Sequence, residues 1–182
     1  MREKRGDLEI AKHTLVWMSE LELMPDVMTY GALARCCKDP ASVNQFLRDC
    51  KELDVKLNVE ILTTLVTNMA KQLEVEMVER LLAKSLSENI TVNKRLLISV
   101  ETFFQRYRKF VRMKEQGQFV PRKVDIDFKN HFDKWQSFVT YYNHWLKVVN
   151  PNLSDNPLDQ YKTQKDVKDE AYNAKLIASK SK

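Results

Sequence analysis

Seven cations stand between positions 94 and 114: Lys94, Arg95, Arg106, Arg108, Lys109, Arg112 and Lys114. Tyr107 and Phe110 are interleaved with them. Cations along a helix neutralise phosphate oxygens, and rings beside them stack on bases, so the chemistry on offer is affinity for a polyanion. Arg106, Tyr107, Lys109 and Phe110 are spaced to lie on adjacent strips of one helix. A solvated helix face accounts for the same charges, and composition alone does not choose between the two.

The rest of the reactive inventory is thin. His13, His131 and His144 stand far apart, and Cys36, Cys37 and Cys50 follow no zinc spacing. His13 beside Cys36 or Cys37 is explained by packing of a helix as readily as by a metal. Glu74, Glu76 and Glu79 fit a solvated face without acid–base chemistry. There is no phosphate-binding glycine loop and no nucleophile elbow. These residues predict a binding protein, with no catalytic residues, no metal ligands and no cofactor.

Charge is divided unevenly along the 182 residues. Positions 1–93 carry a net −3 and positions 94–182 a net +8, so a polyanion partner is expected for the second half. Three cysteines make an odd count, which suits a reducing compartment better than a disulfide framework. No apolar run approaches 18 residues, so no membrane partner is expected. The opening residues carry both signs and resemble neither a signal peptide nor a transit peptide.

The elements that must position the cations are helices. Three glycines and five prolines are few for an all-β or open α/β fold, and 43% of the residues are apolar. Three windows, Gly6 to Asp26, Lys38 to Asn58 and Leu73 to Asn93, share one pattern. Ala11, Leu15, Met18 and Leu23 in the first match Val43, Leu47, Cys50 and Val55 in the second. Val78, Leu82, Ser85 and Ile90 match them in the third. Each window reads as an amphipathic helix closing on a short polar residue. Asp26, Asn58 and Asn93 are placed to N-cap the next helix, Pro40 suits a first turn, and Asn89 replaces a helix-ending glycine. Val59 to Asn93 is thus a helix pair of 35 residues and Val27 to Asn58 one of 32, and such pairs bury their apolar faces only by stacking.

With Gly6…Ala11…Met18…Pro25-Asp26-Val27-Met28-Thr29-Tyr30 and the 35-residue unit, the chain resembles the pentatricopeptide repeat family. A tetratricopeptide array carries a Trp and a Gly-x-x-Tyr in its first helix, which these units lack. Downstream, Phe104-Gln105-Arg106-Tyr107 and Phe138-Val139-Thr140-Tyr141-Tyr142-Asn143-His144-Trp145-Leu146 extend the likeness to animal mitochondrial members that act in tRNA and ribosomal RNA metabolism. The resemblance implies a right-handed all-α solenoid that binds single-stranded RNA in the mitochondrial matrix. It implies that the fifth and last residues of a unit read one base, here Thr63 with Asn93 (adenine in the family) and Gly31 with Asn58. It also implies that the second residue wedges against a base: Met28, then Glu60, then Arg95. Glu60 departs from the pattern, since a carboxylate repels phosphate, and Gly31 has no side chain to read with.

The expected RNA contacts are therefore Met28, Gly31, Asn58, Thr63, Asn93, Arg95, Arg106, Arg108, Lys109 and Arg112. Repeats are expected over 6–113, a capping segment and helix over 114–150, and a flexible basic tail over 151–182. The cap carries a stripe of Phe128, Phe132, Trp135, Val139, Tyr142, Leu146 and Val149. Leu15, Leu33, Leu47, Leu65, Leu82, Trp135 and Trp145 are the expected core. The alternative function is a helical scaffold whose same face grips an RNA-processing enzyme or a ribosome-assembly factor.

Overall fold

The computed structural model describes residues 6–126 and 128–149. Among them are eight helices and no strand: α1 (Gly6–Glu20), α2 (Val27–Cys36), α3 (Pro40–Glu52), α4 (Val59–Lys71), α5 (Val75–Ser87), α6 (Lys94–Glu115), α7 (Arg122–Ile126) and α8 (Phe128–Val149). The basic tail expected over 151–182 lies outside the described residues.

The starts of the helices follow from local chemistry. Asp26, Asn58 and Asn93 adopt extended backbone, and each side chain accepts from the amide three residues on, at Thr29, Ile61 and Leu96. Asp39 and Ser42 close a reciprocal capping box at α3, with Pro40 in the first turn. The amide and then the hydroxyl of Thr29 hold the Asp26 carboxyl below the usual carboxylate range.

The ends share one device. Glu22, Asp54 and Asn89 have positive φ, and the next residue's amide reaches back five places: Leu23 to Met18, Val55 to Cys50 and Ile90 to Ser85. These are Schellman stops, in which one left-handed residue satisfies the last carbonyls. Leu23, Val55 and Ile90 therefore sit beyond their helices, folded back on them, where the sequence periodicity placed them on the helical seam. Gly117 ends α6 in the same way, and Leu73 with Glu74 ends α4.

The helices pack in two rows. In one row α2 meets α4 and α4 meets α6. Asn68 of α4 donates to the Ala34 and Cys37 carbonyls at the end of α2, and Thr67 of α4 meets Ser99 of α6 at 3.0 Å. In the other row Lys12 of α1 pairs with Asp49 of α3 at 2.6 Å, α3 and α5 line one crevice, and α8 lies against α5. Ser85 permits the close approach of α8: its hydroxyl donates to the Leu82 carbonyl and accepts from Trp145 Nε1 at 3.0 Å.

Between α6 and α8 the spacing is set by rings. Tyr107 stacks on Trp135, Phe103 meets Phe138 edge-on, and Phe104 touches both Trp135 and Tyr142. Tyr142 donates to the Glu101 carboxylate. Leu33, Leu65, Leu82, Trp135 and Trp145 are buried as expected, while Leu15 and Leu47 are only half-buried. Phe138, outside both the expected stripe and the expected core, joins Trp145 on the buried face of α8.

Candidate nucleic-acid interface

The expected contacts all lie in, or at the N-caps of, the helices of the α2–α4–α6 row. Met28 is exposed at the start of α2, and a Cβ built on Gly31 would meet nothing within 4 Å. Gly31 therefore leaves an open notch there.

The reading pair of the second unit is largely engaged in the fold. Thr63 is buried, and its hydroxyl donates to the Val59 carbonyl at 2.6 Å. Asn58 and Asn93 use their Oδ1 atoms as caps, at 2.9 Å in both cases. Nδ2 of Asn93 donates to Glu60 Oε1 at 3.4 Å, and Arg95 Nη1 reaches Glu60 Oε2 at the same distance. What Thr63 offers a base is one partly covered acceptor oxygen, and what Asn93 offers is its second amide proton.

The basic stretch of α6 splits into two strips. Arg106 and Arg108 stand two residues apart, about 200° around a helix, so they face different sides. By helix geometry Arg95 and Arg106 fall on one strip, Arg108 lies on another side, and Lys109 stands between Arg106 and Arg112, about 60° from each; all five are exposed. Tyr107 is fully buried against Trp135, so the ring expected to stack beside these cations belongs to the core. Phe110 is half-buried, with the Arg106 guanidinium 5.5 Å from its ring centre.

A groove of about 200 Å³ runs between α4 and α6, lined by Thr67, Ala70, Lys71, Ile98, Ser99, Thr102, Phe103 and Arg106. Two cations and three hydroxyls frame an apolar floor, and the lining holds no acid. Lys71, Thr67, Ser99 and Thr102 escaped the sequence reading. The signal for Lys71 was present, since it precedes Arg106 by 35 residues, the length of the Val59–Asn93 unit.

Other polar groups have structural partners. Glu76 pairs with Lys134 of α8 at 3.3 Å, and burial and then Glu76 raise the Glu79 carboxyl above its ordinary value. Burial pushes the Cys37 thiol up to about 12 and that of Cys50 up to about 11, so both stay protonated near neutrality. Among the described residues no group of three or more His, Cys, Asp or Glu side chains is placed to hold a metal ion, and no helix is long and apolar enough to cross a membrane.

No family model matches the chain. It is 27% identical over 161 residues to the rat "Pentatricopeptide repeat-containing protein 1, mitochondrial", covering 88% of this chain and 22% of that protein. The mouse and human proteins of the same name are 25% and 26% identical over 163 residues, 90% of this chain and 22% of theirs. The chain thus spans about a fifth of the length of these relatives. With its stacked helix pairs and capped units, it is similar over nearly its whole length to one stretch of the mammalian mitochondrial pentatricopeptide repeat-containing protein 1.

Proposed function

We propose that the chain is an RNA-binding segment of a pentatricopeptide-repeat-like protein, taking single-stranded RNA along the α2–α4–α6 face. The observation that carries this reading is the acid-free groove in which Lys71 and Arg106 stand beside Thr67, Ser99 and Thr102. Phosphate oxygens accept from the ammonium and guanidinium groups and from the Thr102 hydroxyl, since the Thr67 hydroxyl donates to the Thr63 carbonyl and meets that of Ser99; such contacts fix a strand without reading its sequence. Arg95 continues the positive strip along α6, with Lys109 about 60° around the helix from Arg106, and Ala70, Ile98 and Phe103 offer the groove an apolar floor. Arg108 and Arg112 add long-range attraction from the adjacent side.

Base reading is a minor part of this function. Gly31 with Asn58 offers no side chain at one position, and Thr63 with Asn93 is held by the fold. Met28 offers an exposed thioether that packs on a base face. The names of the relatives support a mitochondrial setting. Matrix placement, and a role in the processing or stability of tRNA precursors or ribosomal RNA by binding and not by catalysis, extend the proposal from the family resemblance.

One observation favours the protein-scaffold reading: Ile10, Trp17, Leu21 and Met24 are exposed at the α1 edge, as a helical partner would require. Binding of labelled single-stranded RNA across a salt series decides between them. Phosphate contact predicts a log–log slope of about −0.7 per phosphate neutralised. Absence of binding at low salt would favour the scaffold.

A further inference from the structure

Glu60 is the one acid on the open face of α4, and it is not solitary. Its Oε1 accepts from Asn93 Nδ2 and its Oε2 from Arg95 Nη1, each at 3.4 Å. One carboxylate thus joins the first turn of α4 to the N-cap and first turn of α6, across the boundary between two units. The amide of Asn93 is then held at both ends, because its Oδ1 already caps Leu96. Arg95, the first cation of the positive strip, has its charge answered from within the protein. Glu60 and Arg95 keep 56% and 77% of their side-chain surface exposed, so the pair is one that solvent or a ligand can reach and break.

We infer that Glu60 is an internal competitor for RNA: it occupies the Asn93 amide and the Arg95 guanidinium, and a strand entering this boundary must displace it. The inference rests on the RNA-binding reading of the same face. An exposed pair at this distance contributes little to stability, so the competitor is weak and displaceable. Its consequence is local. Past Glu60, the groove between Lys71 and Arg106 holds no acid, so phosphate is favoured there and disfavoured one helical turn from the α6 start. The asymmetry sets where on the face a strand is gripped, and it suppresses base reading by Asn93.

The test compares wild type and Glu60→Gln by fluorescence anisotropy with labelled 20-nucleotide oligouridine and oligoadenosine. Glutamine keeps the shape and removes the charge, and it should tighten binding about two- to fivefold. In an Arg95→Ala background the same change should give at most half that gain, because part of what Glu60 withholds is already absent. An equal gain in both backgrounds would mean a general charge effect and overturn the competitor. Unchanged or weaker binding by Glu60→Gln, with wild-type binding still abolished by Lys71→Glu and Arg106→Glu, overturns it and leaves the RNA reading standing. Failure of every variant to bind at low salt overturns both.

Discussion

Lys71 closes α4 and Arg106 rides the middle of α6, yet both line one groove. They hold the same place in consecutive units, so the spacing of the repeat sets the spacing of the cations. Replacing both with glutamate should abolish RNA binding while the helical circular dichroism stays unchanged. The matched pair Arg108→Glu and Arg112→Glu, on the adjacent side of α6, should weaken binding several-fold and leave the salt slope close to wild type. Equal losses from the two pairs would remove the groove from its central role.

Ser85 supplies the second expected outcome. It is buried, it bonds the Leu82 carbonyl, and it receives the only ring N–H of Trp145. Ser85→Ala leaves that donor buried without its acceptor and should cost about 1–3 kcal/mol in denaturant unfolding. Leu82→Ala, one turn earlier and fully buried, should cost about 2–5 kcal/mol.

The helix stops offer a change in the opposite direction. Asp54 sits at φ 51° and is exposed, at the rim of the crevice between α3 and α5. A left-handed residue with a Cβ is strained, and glycine relieves that strain at some cost in unfolded-state entropy. Asp54→Gly should therefore raise stability by about 0.5–1 kcal/mol, read as a higher melting temperature. The same exchange at Leu73, also left-handed but buried, should destabilise, since it removes an apolar side chain from the core.

Alkaline pH should unfold the protein through its buried acids. Burial raises Tyr107 from 10 to about 12 and Cys37 from 9 to about 12. Tyr142 moves up further, through burial and then its bond to Glu101. In each case the folded state prefers the proton, so the stabilisation is complete below the unfolded value. It is lost as pH climbs, from about 9 for the thiol and about 10 for the tyrosines, toward the folded values. Melting temperature should fall across pH 9–12, and Cys37 and Cys50 should label with a thiol reagent only on the unfolding timescale.

The helix starts were legible because a cap is local chemistry. Asp26, Asn58 and Asn93 each need only an amide three residues away, and the sequence displays both partners. The stops were half legible: Asn89 shows its nature, but Glu22 and Asp54 do not advertise positive φ. Their partners Leu23 and Val55 mimic helical periodicity closely enough to be read as seam. The site was harder. A charge run in sequence ignores the turn of the helix, so Arg106 and Arg108 read as neighbours although they face different sides. Tyr107 looked like a stacking ring because nothing in its spacing reveals Trp135, which approaches from 28 residues away. Lys71 was visible only through the repeat length, and the two hydrogen bonds that Glu60 accepts from Asn93 and Arg95 only through the packing of α4 on α6.

The two ends of the stack differ in how they are held. α6 and α8 are locked by a lattice of seven aromatic side chains, Phe103, Phe104, Tyr107, Trp135, Phe138, Tyr142 and Trp145. α1 leaves Ile10, Val16 and Trp17 in water and rests mainly on α2. Opening should therefore travel in one direction. Backbone amides of α1 should exchange with deuterium through frequent local fraying, those of α4 and α5 through rarer openings, and those of α6 most slowly of all. If RNA is gripped between Lys71 and Arg106 as proposed, it is anchored on α4 and α6, and α1 can open and close beside it without releasing it.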